Sequence, residues 1–131
     1  MILLDTHIWL RWLTPGETPL PTAMTRMLDQ ADDLAVSAVS CWEVAYLHKR
    51  GRLSLPVPLV PWLDAALSGS GIGCIPVTGS IAAAAAGLAD VHRDPADRFI
   101  IATALASRRR LLTLDAAITK YPELVGQLVT V

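Results

Sequence analysis

Apolar residues fall into short runs separated by longer helical patterns. Ile2-Leu3-Leu4 runs straight into Asp5, and Ile8, Trp9, Leu10, Trp12 and Leu13 follow at helical spacing. This predicts a buried strand over 2–5 that carries a carboxylate to its C-terminal tip, then a helix over 7–13. Thr14-Pro15-Gly16 ends that helix. Ala23, Met24, Met27, Leu28 and Ala31 predict an amphipathic helix over 22–30, and 34–39 reads as a second strand. A helix over 41–50 closes with Lys49 and Arg50, which suit the negative end of its dipole, and Gly51 suits its C-cap.

Pro56 and Pro58 mark a loop, and 60–67 reads as a helix. The 72–77 segment is a strand candidate weakened by Gly73 and Pro76, which suit an edge position or a strand end. Alanine-rich 80–88 predicts a closely packed helix. The clearest helix is 95–108, with a broad face of Phe99, Ile100, Ala102, Thr103, Leu105 and Ala106. A strand over 111–114 ends at Asp115, followed by a short helix over 116–120 and a last strand over 128–131. Strands alternating with helices predict a layered α/β fold with a parallel sheet.

The length of 131 residues predicts one domain over 1–131, and a hydrophobic fraction of 53% is ample for its core. The net charge of -1 excludes a simple polyanion-coating protein, so nucleic-acid binding must come from local patches. Cys41 and Cys74 lie far apart among apolar neighbours, which predicts buried thiols in a reducing cytosol. No targeting segment is visible, and the uncharged stretch between Asp64 and Asp90 is too broken by glycine, serine and Pro76 for a membrane span. A cytoplasmic protein is expected.

Five acids then change the picture: Asp5, Glu43, Asp94, Asp97 and Asp115. Each has a structural explanation. Asp5, Asp94 and Asp115 suit N-caps, Ser40-x-x-Glu43 fits a capping box, and Asp97 suits a first helical turn. Their joint placement adds something. In a parallel sheet, helix N-termini gather at the edge where strands end, so Asp5, Glu43, Asp97 and Asp115 are expected on one edge. Two such charges at ~4 Å repel by ~4 kcal/mol at an effective dielectric of 20. Oxygen ligands without Cys or His suit a hard cation, Mg²⁺ or Mn²⁺, which activates water and stabilises charge on a phosphate. No GxxxxGK[ST] loop, GxGxxG fingerprint or nucleophile elbow occurs.

The chain resembles the PIN-domain ribonucleases, in particular the VapC-type toxins of bacterial toxin–antitoxin pairs. The segments that carry the resemblance are Leu4-Asp5-Thr6-His7, the run Ser37-Ala38-Val39-Ser40-Cys41-Trp42-Glu43-Val44, and Gly51-Arg52-Leu53. After them come His92-Arg93-Asp94-Pro95-Ala96-Asp97-Arg98-Phe99-Ile100-Ile101-Ala102 and Leu112-Thr113-Leu114-Asp115. The resemblance implies a five-stranded parallel sheet with helices on both faces and a Mg²⁺- or Mn²⁺-dependent endoribonuclease. It implies Asp5, Glu43 and Asp97 as the core acids, Asp115 as the fourth, and Asp94 as a cap or supporting acid. Thr6 and Thr113 match polar positions beside the site. It also implies a homodimer and a small antitoxin protein.

Arg93 and Arg98 are expected to meet RNA phosphates, with His92 beside them; Arg108-Arg109-Arg110 should point to the opposite edge. Trp9, Trp12, Trp42 and Trp62 are candidates for protein contacts or core packing, His7 for packing or a local hydrogen bond, and His48 for the surface. A competing reading is an aspartate-nucleophile phosphatase. It needs a second acid two residues after Asp5, where His7 stands. A phosphoryl-receiver domain needs a lysine at a late strand tip, and none follows Leu114 directly. A non-catalytic interaction module, with the acids as helix caps, is the remaining alternative.

Overall fold

The computed structural model describes residues 1–16, 18–91 and 94–130. Its sheet contains β1 (Ile2–Leu4), β2 (Leu34–Ser37), β3 (Gly73–Ile75) and β4 (Arg110–Leu112), all parallel, in the order β3-β2-β1-β4. Leu4 stands level with Val36 on one side and Leu112 on the other. β1 and β2 are therefore buried between neighbours, which explains their unbroken apolar sequences.

Successive strand residues face opposite sides of the sheet. Ile2, Leu4, Leu34, Val36 and Leu112 join a core with α1 (Thr6–Leu13), α2 (Thr22–Gln30), α3 (Ala38–Lys49) and α4 (Leu59–Ala66). Trp9 and Trp62 meet there with ring centroids 5.5 Å apart. Leu3, Ala35 and Leu111 face the other way, against Ile100, Ile101 and Ala104 of α6 (Pro95–Ser107) and Ile118 of α7 (Ala116–Thr119). The alanines of α5 (Gly79–Ala86) let it lie close on α6, where Ile81, Ala85, Phe99 and Ala102 pack together.

The expected fifth strand is reduced to one parallel bridge, Leu111 to Leu128. Leu111 N–H donates to Gln127 O at 2.7 Å, and Val129 N–H donates to Leu111 O at 3.0 Å. The chain reaches β4 through a turn at Gly126 (φ 79°), and β4 is itself short, so the ladder stops there. The helix expected from 41 begins at Ala38 instead. Ser37 accepts a bond from Val39 N–H at 3.2 Å and so ends β2 and caps α3 at once. Glu43 is consequently not the partner acid of a capping box.

The arginine run lies at the edge away from the acids, as expected. Arg108 ends α6 in the left-handed region (φ 55°), Arg109 pairs with Asp33 at 2.8 Å, and Arg110 starts β4. Among the described residues, no helix is long and apolar enough to cross a membrane.

Candidate active site

The strand order reverses between β1 and β4, which opens a crevice at their C-terminal ends. Asp5 N–H donates to Leu112 O at 3.0 Å and closes the floor of that crevice. The Asp5 side chain is only 3% exposed. Thr113, just beyond β4, donates from Oγ1 to Asp5 Oδ2 at 2.8 Å and accepts from Asp115 N–H at 3.0 Å.

A matching arrangement holds Glu43. Thr6 donates from Oγ1 to Glu43 Oε1 at 2.7 Å, and Ser40 Oγ lies 2.8 Å from the same threonine oxygen. A hydroxyl has one hydrogen to give, so Ser40 donates to Thr6 and Thr6 to Glu43. Both hydroxyl residues are fully buried. Two carboxylates are thus each aimed by a threonine that is itself held by a second donor. Thr6 and Thr113 lie beside the acids as the sequence suggested. Ser40 was missed as a positioning residue. Its signal was its place three residues before Glu43, on the same helical face.

Asp94 caps α6 by accepting from Ala96 N–H at 3.0 Å, and Pro95 follows at the first helical position. Asp97 sits in that first turn. Asp115 caps α7 through Ala117 N–H at 2.9 Å. The caps are real, yet they do not exhaust these acids, because the electrostatics joins them. Burial pushes the Asp97 carboxyl up to about 8, reinforced in turn by the charges of Asp94, Asp5, Glu43 and Asp115. Glu43 is raised by burial against the Thr6 bond, with Asp5 and Asp94 adding to it. Asp5 is raised by burial, which outweighs the opposing bond from Thr113.

Asp5 and Asp115 line a cleft of about 250 Å³ together with His7, Ile8, Arg11 and Leu114, and Glu43 and Asp97 are near enough to feel the charge of Asp5. A larger cavity of about 590 Å³ lies beside the start of β2, between Trp12, Leu28, Asp29 and Ile72, at the other end of the strands. Convergent chemistry marks the smaller cleft, and size does not outweigh it. The acids offer an all-oxygen donor set, which suits a hard divalent cation, and among the described residues lining the cleft Arg11 carries the one permanent positive charge. Among the described residues, no three of these groups stand in the arrangement of a preformed metal cage. The acids form an open set that a cation would have to gather.

Several expectations need correction. Arg98 does not face the cleft. Its guanidinium donates to the carbonyls of Ala85, Ala86, Leu88 and Ala89 at 2.8–3.3 Å and to the Tyr121 hydroxyl at 3.4 Å. It serves the carbonyl end of α5, where a fixed fork of donors is most useful, and it is not available to a phosphate. His92 and Arg93 lie outside the described residues. His7 is exposed at the cleft rim and not packed. His48 is half-buried, with Nδ1 3.2 Å from Leu53 O. Cys74 is exposed and Cys41 half-buried, and their sulfurs lie 4.0 Å apart. Trp9 and Trp62 are core residues, while Trp42 is exposed.

Known proteins resemble this chain in sequence and in fold. The PIN domain profile matches residues 2–124. Ribonuclease VapC22 of Mycobacterium tuberculosis is 34% identical over 121 residues, which cover 92% of this chain and 91% of that protein. A toxin–antitoxin complex from Klebsiella pneumoniae superposes with a TM-score of 0.68 at 21% identity, covering 99% of this chain and 97% of that one. VapBC2 from Rickettsia felis, bound to a DNA fragment from its promoter, gives 0.69 at 18% identity, covering 95% and 96%. With the profile spanning nearly all of its length and the acids gathered at the strand ends, this chain belongs to the PIN-domain family.

Proposed function

We propose that this chain is a VapC-type endoribonuclease that hydrolyses RNA phosphodiester bonds with Mg²⁺ or Mn²⁺. The observation that carries this reading is the convergence of acids from separate segments, close enough that the charges of Asp5 and Asp94 help burial to raise both Glu43 and Asp97. Such repulsion is relieved by a cation. Identity of 34% to Ribonuclease VapC22 supports the same activity. Asp5, Glu43, Asp97 and Asp115 would hold the ion, and Asp94 supports them from the start of α6. Bound there, the ion supplies an activated water and neutralises charge that develops on the phosphate.

The protein's own groups do the positioning. Thr113 fixes one oxygen of Asp5 and Thr6 fixes one oxygen of Glu43, so each carboxylate keeps its direction. Burial and the neighbouring acids hold the Asp97 carboxyl up at about 8, so it would have to give up a proton to serve as a ligand. This reading takes 1–131 as one nuclease unit in the cytoplasm. It includes a homodimer and a small antitoxin protein that restrains the site. Similarity to a toxin–antitoxin complex supports the antitoxin.

Cleavage of a mixed RNA pool with and without Mg²⁺ or Mn²⁺ tests the reading. Wild-type protein should cleave only with the metal, and folded Asp5→Ala and Asp97→Ala proteins should not cleave at all. Retained cleavage by purified Asp97→Ala protein would overturn the assignment.

A further inference from the structure

The acids explain how a phosphodiester could be cut, but they repel the strand that carries it. A negatively charged substrate needs an attractive surface nearby, and a chain of net charge -1 must concentrate it. Helix α3 offers one. Trp42 is 57% exposed and Tyr46 41% exposed, and their rings stack with centroids 5.2 Å apart and planes inclined by 21°. The Arg50 guanidinium lies 5.1 Å from the centre of the Tyr46 ring. Lys49, Arg50 and Arg52 are all exposed, and no acid occurs between Glu43 and Asp64.

Tyr46 and Arg50 follow Glu43 at three and seven residues, which puts them on its face of the helix. Trp42 stands directly before Glu43. The stripe therefore starts at a site carboxylate and ends roughly 10 Å further along the helix axis. Helix capping accounts for cations at the C-terminal turn of α3. It does not account for two large rings stacked outside the core, where the buried Trp9 and Trp62 show that this chain has room for indoles. Stacked rings beside guanidinium groups accept nucleobases of any sequence, while the cations follow the backbone.

We infer that the Trp42–Tyr46–Arg50 face of α3 is the track on which single-stranded RNA lies as it enters or leaves the cleft. Trp42 and Tyr46 stack bases, and Arg50 with Arg52 meets phosphates. The track rests on the ribonuclease reading and adds to it the surface of α3 on which the bases of an unpaired strand would stack. A second copy of this chain is the other occupant such a face could take. Charge complementarity favours the RNA, since two copies would bring Lys49, Arg50 and Arg52 against each other.

The test measures binding of a short mixed-sequence RNA, single-stranded or as a duplex, to Asp5→Asn protein in EDTA, so that no strand is cut. Trp42 is exposed, so Trp42→Ala should leave the melt unchanged. It should weaken single-strand binding about tenfold, and Trp42→Tyr should restore most of it. Arg50→Gln should lower the salt slope by about 0.7. In metal-loaded protein with Asp5 intact, Trp42→Ala should raise KM and leave kcat near wild type. Unchanged RNA affinity in Trp42→Ala with a lost oligomer, read by sedimentation, would assign the face to a second copy and overturn the track. Unchanged affinity and unchanged oligomer would overturn it too. In both cases wild-type cleavage would still stand. If wild-type protein neither binds nor cleaves RNA with Mn²⁺, the ribonuclease reading falls along with the track.

Discussion

Replacing Asp97 with asparagine should make the metal-free protein more stable. The Asp97 carboxyl is pushed up to about 8 from an ordinary value of 3.8, by burial first and by Asp94, Asp5, Glu43 and Asp115 after it. Well below pH 3.8 it is protonated in both folded and unfolded chains and costs nothing. As pH rises towards 8, the unfolded chain ionises freely while the folded chain resists, so stability falls. Above 8 the full penalty is present. Taken at face value the span from 3.8 to about 8 is worth about 6 kcal/mol. The side chain is only half-buried, and screening by water reduces this to about 1–2 kcal/mol.

Asp97→Asn removes the ionisation and keeps the shape. At pH 8 in EDTA its melting temperature should exceed that of the wild type by roughly 4–8 °C. At pH 3.5, below the unfolded value of 3.8, most of the difference should disappear. Millimolar Mn²⁺ should invert the order. At a hundredfold excess over its Kd, a bound ion adds about 2.7 kcal/mol to the wild type and little to the variant. Thermal melts at both pH values, with and without Mn²⁺, give all four numbers. An Asp97→Asn protein that melts below the wild type in EDTA at pH 8 would refute the reasoning, because the carboxylate would then be compensated within the fold.

Thr6→Val should cost about 1–3 kcal/mol in urea unfolding, since it strips a donor from Glu43 and a partner from buried Ser40; Thr6→Ser should recover most of that, and equal stability of all three would discount the relay. Arg98→Lys should destabilise by about 2 kcal/mol, because one ammonium cannot serve the carbonyls of Ala85, Ala86, Leu88 and Ala89. RNA affinity per folded protein should stay the same in that variant, whereas a phosphate-binding role predicts a loss. Mild oxidation should join Cys41 and Cys74, seen as a loss of two hydrogens by mass. The bridge should stabilise the protein by about 3–4 kcal/mol, given the separation of 33 residues. A Cys74→Ser protein that shifts equally under oxidation would exclude this pair.

Much of the fold was legible in the chain. The 95–108 pattern carries its own cap, proline and apolar face, and α6 occupies Pro95–Ser107. The buried strands announce themselves as apolar runs because both of their faces are covered. Weakly marked elements shifted more. The last strand shrank to one bridge, and α3 began earlier, because the turn at Gly126 and the cap bond at Ser37 decide such ends. Residues with several possible partners were misread for the same reason. By sequence Arg98 reads as a phosphate binder, and only the nearness of the α5 carbonyls shows where its guanidinium goes.

By itself, the order of residues determined which segments would be strands and helices, and that the acids would end at the same edge. This follows from local periodicity and from the direction of parallel strands. The tertiary structure alone decided which group meets which. Thr113 reaches Asp5 across 108 positions, Thr6 reaches Glu43 across 37, and Cys41 comes within 4.0 Å of Cys74. Hydrogen bonds act over about 3 Å, so such pairings depend on strand order and helix docking, which no local pattern encodes. The same holds for the raised carboxyl of Asp97, whose charge neighbours come from other strands and helices.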